Sequence, residues 1–147
     1  MGCEKINKPK LEKPITVNVG LYRLHVVVLI GYTVDEVIAH GRRHGISKDS
    51  FTVSWCEFVQ NATEGAQGYC TSFGHKNSDV LIWLKTRPRK SLEYGTLWHE
   101  LSHAVDRIAV HADPGNSFND GHGHSEPRAF LFEYLAVKIT QDLWNRR

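Results

Sequence analysis

His99, Glu100 and His103 stand in the order His-Glu-Leu-Ser-His, two imidazoles four residues apart with a carboxylate beside the first. On an α-helix, residues four apart differ by about 40° in direction, so both rings project from one face, one turn apart. Two neutral ring nitrogens so placed can share one Zn²⁺ ion. Glu100 sits next to the first ligand and can reach a water bound to that ion without ligating it. Metal-assisted hydrolysis needs these parts in this order. The plainer reading is a helix carrying two surface histidines and no metal. Context favours the metal: Leu97 to Val110 is apolar and helix-patterned, and a second, acid-bearing helix follows.

A zinc site that keeps one position open for water needs three protein ligands. A third ligand ten residues after the first His would fall on Ala109, with no Gly at the expected turn, so the long form of the motif fails. The next candidates lie in Asn119-Asp120-Gly121-His122-Gly123-His124-Ser125-Glu126. Glu126 is favoured. It opens a new helix 23 residues after His103, and a helix N-terminus suits a carboxylate. It could equally be an acid that only stabilises its own helix. His122 and His124, in a glycine-rich loop, are the alternatives, as ligands or as transition-state donors. Asp106 could orient His103 by taking its second ring N–H, or be a surface acid paired with Arg107 or Arg128.

The helices that must hold these groups can be read from periodicity. Leu97, Leu101, Ala104, Val105 and Ile108 form a stripe at 3-4 spacing. Ser91 is the expected N-cap and His111 the approximate end. Ser125 is the expected N-cap of a last helix, Glu126 to about Leu143, with Phe130, Tyr134, Val137 and Leu143 facing the core. Upstream, Ile15 to Ile30 is β-rich, and Val26 to Ile30 is apolar on both faces, as in a buried strand. Thr33-Val34-Asp35-Glu36 is a capping box opening a helix to about His44. Phe51 to Val59, Gly68 to Phe73 and Asp79 to Lys85 read as strands. In the last, Leu81 and Trp83 share one face and Val80, Ile82 and Leu84 the other. Thr86 to Lys90 is a basic loop, expected to be a solvated connection, with substrate steering as the alternative.

At 147 residues, with 41% hydrophobic and 23% charged content, the chain is long enough for one domain with a real core. The expected division is a flexible arm over 1–14 and one domain over 15–147. A net charge of +2 does not by itself imply nucleic acid. No apolar run approaches a membrane span, and residues 1–14 lack the apolar stretch of a secretory signal. Met1-Gly2-Cys3 hints at acylation, but Ile6 stands where that signal wants Ser or Thr. Three cysteines without a C-x-x-C argue against a disulfide framework or thiolate zinc site and fit an intracellular compartment.

Trp98 to Asp106, followed by Glu126-Pro127-Arg128-Ala129-Phe130, resembles the small zincin-like metallopeptidases of the gluzincin type, many of them encoded in bacteriophage and prophage genomes. The likeness covers about the last third of the chain. It departs at Phe130, where gluzincins carry an Asp that orients a zinc histidine. SprT-like proteases are the second resemblance, through His122-Gly123, but the aromatic that follows is displaced and no cysteine zinc ribbon is present. The resemblance implies an α+β, minimal zincin-like domain: a small mixed twisted sheet, a first helix, a metal-binding helix, and a C-terminal helix carrying the third ligand. It further implies one Zn²⁺ on His99, His103 and Glu126, with Glu100 as general base in peptide hydrolysis. The oxyanion donor would come from Tyr134, His111, His124 or Arg128. A peptide or protein substrate would lie along the edge strand that precedes the metal helix, here Asp79 to Lys85. The location would be a bacterial host's cytoplasm or a virion. The other reading is a non-catalytic zinc-binding structural or assembly protein, contacting other virion components.

Overall fold

The computed structural model describes residues 10–44, 53–74, 77–112 and 126–146. The chain forms an α+β domain. Its elements run β1 (Ile15–Val19), β2 (Leu24–Ile30), α1 (Val34–Arg43), α2 (Val53–Thr63), β3 (Gly68–Gly74), β4 (Asn77–Leu84), α3 (Ser91–Ala112) and α4 (Glu126–Asn145). The sheet order is β1-β2-β4-β3, with β2 and β4 parallel in the middle and an antiparallel strand at each edge.

Two apolar clusters sandwich this sheet. On one face Val26, Val28, Ile30, Val80, Ile82 and Leu84 pack with the buried sides of α3 and α4. On the other, Val27, Leu29, Leu81 and Trp83 pack with Val37 of α1 and Trp55 and Phe58 of α2. The central strands are therefore apolar on both faces, as their sequences require. β1 is covered on one face only, and its residues alternate buried and exposed.

The expected capping box is present: the Thr33 hydroxyl accepts from the Glu36 N–H and the Glu36 carboxylate from the Thr33 N–H. Ile15 to Ile30 is β-rich as expected, forming two strands folded back through a 3-10 turn at Gly20–Tyr22 and a left-handed Arg23 (φ 54°). Other expectations need correction. Of Phe51 to Val59, expected as a strand, residues 51 and 52 lie outside the described residues and the part from Val53 onward is helix α2. Its residues are β-formers by type, but Trp55, Phe58, Val59 and Ala62 recur at helical spacing and turn toward one cluster. Ser91 is the first residue of α3, not its cap. Glu93 supplies the cap from inside, accepting from the N–H groups of Arg89 and Lys90. In α4 the core stripe is Leu131, Leu135, Ile139 and Leu143, while Phe130, Tyr134 and Val137 face outward.

The basic loop after β4 is a structural tie. Arg87 makes two bonds to the Glu12 carboxylate and one to the Leu143 carbonyl, joining the start of the chain to the end of α4. Glu12, Lys13 and Pro14, expected in the arm, are all held this way: Tyr32 donates to the Glu12 carbonyl and Arg146 to those of Lys13 and Pro14. Residues 1–9 lie outside the described residues. Among the described residues, no helix is long and apolar enough to cross a membrane. Cys56 and Cys70 are both free thiols.

His40 is buried on α1, edge-on to Tyr32 and Phe73 and stacked on His44 at 4.1 Å. Burial, then the neighbouring His44 and Arg43, push its pKa down to about 4. The unfolded chain thus binds a proton that the folded chain refuses, so stability is full above about pH 6.5 and falls as pH drops toward 4. Urea unfolding of wild type should lose on the order of 1–2 kcal/mol between pH 6.5 and 5, and His40→Leu should flatten that slope. Parallel slopes for the two proteins would refute the assignment.

Candidate metal centre

α3 presents different faces to different neighbours, because each residue turns it by about 100°. Leu97, Leu101, Ala104 and Ile108 are buried in the core beneath it. The opposite side therefore carries His99, Ser102, His103 and Asp106, all exposed. Between the two lie the shoulders. Thr96, Glu100 and Arg107 lean toward β3, and Trp98 leans toward Phe132 of α4.

The two imidazoles converge. Their Nε2 atoms stand 3.2 Å apart and the rings are nearly perpendicular, with centroids at 4.8 Å. Two nitrogens bound at 2.0–2.1 Å to one tetrahedral zinc lie about 3.3 Å apart. The pair has the separation of two zinc-bound nitrogens, which is equally that of one ring N–H donating to the other ring's nitrogen.

Glu100 is 7% exposed and lies on the backbone of β3. A Cβ placed on Gly68 would come within 2.9 Å of Glu100 Cγ and 2.8 Å of Thr96 Cγ2. Glycine at 68 is what lets this carboxylate settle against the strand. Burial raises the Glu100 pKa above the usual carboxylate range, and the charges of His99 and His103 oppose that rise. A carboxyl so placed is a better proton acceptor than one in open water.

These groups line a cleft of about 470 Å³, whose other walls include Asn61 of α2, Ala66 just beyond it, Tyr69 and Cys70 of β3, and Arg107. Arg107, half-buried, donates to the Cys70 carbonyl at 3.5 Å. Sequence reading missed this wall. One signal for it existed: a glycine opening a strand marks close approach by another element.

The residues expected to offer a third donor fall outside what the structure describes. Glu126 is the first residue of α4, but its side chain is not described, and neither are His122, His124 or Ser125. Among the described residues, no third His, Cys, Asp or Glu joins the histidine pair to form a metal-holding group. The start of α4 is nonetheless anchored at the site, since Arg128 is ion-paired with Asp106, one turn beyond His103. Of the two roles open to Asp106, this bond is the surface pairing with Arg128. It also occupies Arg128, one of the oxyanion candidates. Tyr134 is elsewhere: its hydroxyl donates to the Asn18 carbonyl, and it lines a separate hollow with Leu21 and Phe130. His111 is exposed near the end of α3, away from the cleft walls.

The edge strand also differs from expectation. β4, containing Asp79 to Leu84, is interior, paired on both sides; its two apolar faces are those of a central strand. The edge beside the cleft is β3. Its alternate carbonyls point away from β4, and two are taken by side chains: Cys70 O by Arg107 and Ser72 O by the Trp55 indole N–H at 3.0 Å. Trp55 thus caps this edge at Ser72, one of the ways sheet edges are blunted.

No family model matches this sequence, and no curated protein or solved structure matches it either.

Gly68→Ala should force Glu100 and Thr96 aside. The expected cost is about 1–3 kcal/mol of stability. Thr96→Ser in the same chain should recover part of it by removing the nearer methyl. Chemical unfolding of the single and double variants checks this; an alanine that costs nothing would mean the strand and helix are not in close contact.

Proposed function

We propose that this chain is a zinc-dependent peptidase whose ion is held by His99 and His103 and whose proton acceptor is Glu100. The observation that carries the proposal is the convergence of two Nε2 atoms at 3.2 Å beside a buried carboxylate on one cleft wall. When bound, the ion supplies a Lewis acid that makes water acidic near neutral pH and polarises a carbonyl oxygen. Glu100 takes the proton of the attacking water and delivers it to the leaving amine. Glu126 is the proposed third ligand, favoured by the Arg128–Asp106 pair that holds the first turn of α4 beside α3.

An extended peptide would add to β3 beside Gly68, ahead of Cys70 and Ser72, whose carbonyls Arg107 and Trp55 already take. Gly68 has no side chain of its own there, and Glu100 packs directly against its backbone. A peptide so bound would run past the histidine pair with its carbonyls exposed to the cleft.

Purified protein should bind one Zn²⁺ per chain by elemental analysis, and His99→Ala or His103→Ala should lose it. Glu100→Gln should keep the metal and lose about 10²–10⁴-fold in peptide cleavage. Zinc-loaded wild type that cleaves nothing in a broad peptide library would sink the peptidase reading and leave a non-catalytic zinc-binding protein.

A further inference from the structure

Helix α4 is apolar on two opposite sides. Its inner side is buried against the sheet and α3, through Leu131, Leu135, Ile139 and Leu143. On its outer side Phe130 is 67% exposed, Tyr134 42%, Val137 47% and Trp144 60%. With Gln141 between the last two, these positions alternate four and three residues apart. That spacing holds them within about 40° of one line along the helix. Phe130, Val137 and Trp144 recur every seven residues, the repeat by which one helix packs along another.

The two ends of this seam differ in shape. Phe130 projects at one end. At the other, a groove of about 560 Å³ opens between α3 and α4, lined by Trp98, Val137, Thr140, Gln141 and Trp144. We propose that the seam is a homodimer interface, in which two copies pair their α4 helices antiparallel about a two-fold axis at Val137. Under that rotation Phe130 of one copy meets Trp144 of the other and enters the groove, at both ends at once. Such self-complementarity is what an isologous interface requires. Val137, the smallest residue of the seam, meets its own image. Glu133 meets Gln141, whose amide can donate to the carboxylate. A parallel pairing would set Glu133 against Glu133 and Lys138 against Lys138 and would leave both grooves unfilled.

The area lies at the low end for a specific interface. Aromatic side chains bury about 150–250 Å² each, so the exposed fractions amount to roughly 400 Å² per copy. With the flanking Glu133, Lys138 and Gln141, two copies reach the roughly 1,000 Å² that a specific interface needs.

Light scattering on the full chain, up to about 200 μM, should give twice the 16.7 kDa chain mass. Val137→Lys places two ammonium groups on the axis and should return the mass to that of one chain, with the helical circular dichroism unchanged. Val137 is half-exposed, so the variant is expected to fold; Phe130→Ser, with the same loss of mass, is the second reading of the interface. In a Cys3→Ser, Cys56→Ser chain treated with diamide, Val137→Cys should cross-link to itself and Phe130→Cys should not. A wild-type monomer over that range overturns the proposal, as does a dimer that survives both Val137→Lys and Phe130→Ser. Self-linking at 130 but not at 137 overturns it too, as does monomeric protein that pairs only with a different protein.

Discussion

The packing of α3 on the sheet is the constraint from which the rest of the structure follows. Leu97, Leu101, Ala104 and Ile108 can be buried only one way, and that choice sets where every other residue of the helix points. It turns His99 and His103 together toward solvent and sets Glu100 on the shoulder against β3. The apolar stripe thus does two things. It supplies core energy, at about 25 cal/mol per Å² removed from water, and it aims the polar groups without any polar contact being needed to orient them. The close approach at Gly68 is the second half of the constraint, because a side chain on β3 would hold α3 off the sheet at the level of the carboxylate.

How far this was legible in the chain depends on how unambiguous each period is. β2 and β4 are apolar on both faces and could only be central strands, although β4 was expected at the edge. The resemblance puts the edge at the strand before the His-Glu helix, whereas here β3 folds back outside that strand. The α3 stripe has a single solution, since polar residues fill the other side. α4 has two. Apolar residues lie on opposite sides of it, so the sequence admits either Phe130, Tyr134 and Val137 or Leu131, Leu135 and Ile139 as the inner face. Tertiary packing selects the second, where aliphatic side chains meet the sheet. In α2, β-branched and aromatic residues outvoted a helical spacing that was present throughout.

A helix with two apolar faces has to answer for both. The inner face of α4 completes the core over β1 and α3, and its outer face is left to solvent in a single chain. Gln141 and the rim charges Glu133 and Lys138 keep that outer face from being uniformly greasy. They also limit which register a partner helix can adopt, since a polar group in a seam must meet another polar group. The seam therefore has the marks of a selective contact, more than of a patch that sticks to anything.

The two features of α4 are linked by where it begins. Arg128 pairs with Asp106, so the first turn of α4 is pinned beside the turn of α3 that follows His103. At the other end, Arg87 donates to the Leu143 carbonyl and joins the last turn to Glu12 near the chain's start. Clamped at both ends, the helix has little freedom to slide along its axis. A sliding helix would carry its first residue toward or away from the histidine pair by about 1.5 Å per residue of register, whereas a zinc–oxygen bond tolerates only a few tenths of an ångström. If the proposed zinc site takes its third ligand from residue 126, the reach of that carboxylate would depend on contacts that ligate nothing, the Arg128–Asp106 pair and the Arg87 bond to Leu143. An α4 seam gripped by a second copy would act in the same direction, by adding one more restraint on the axial position of the helix.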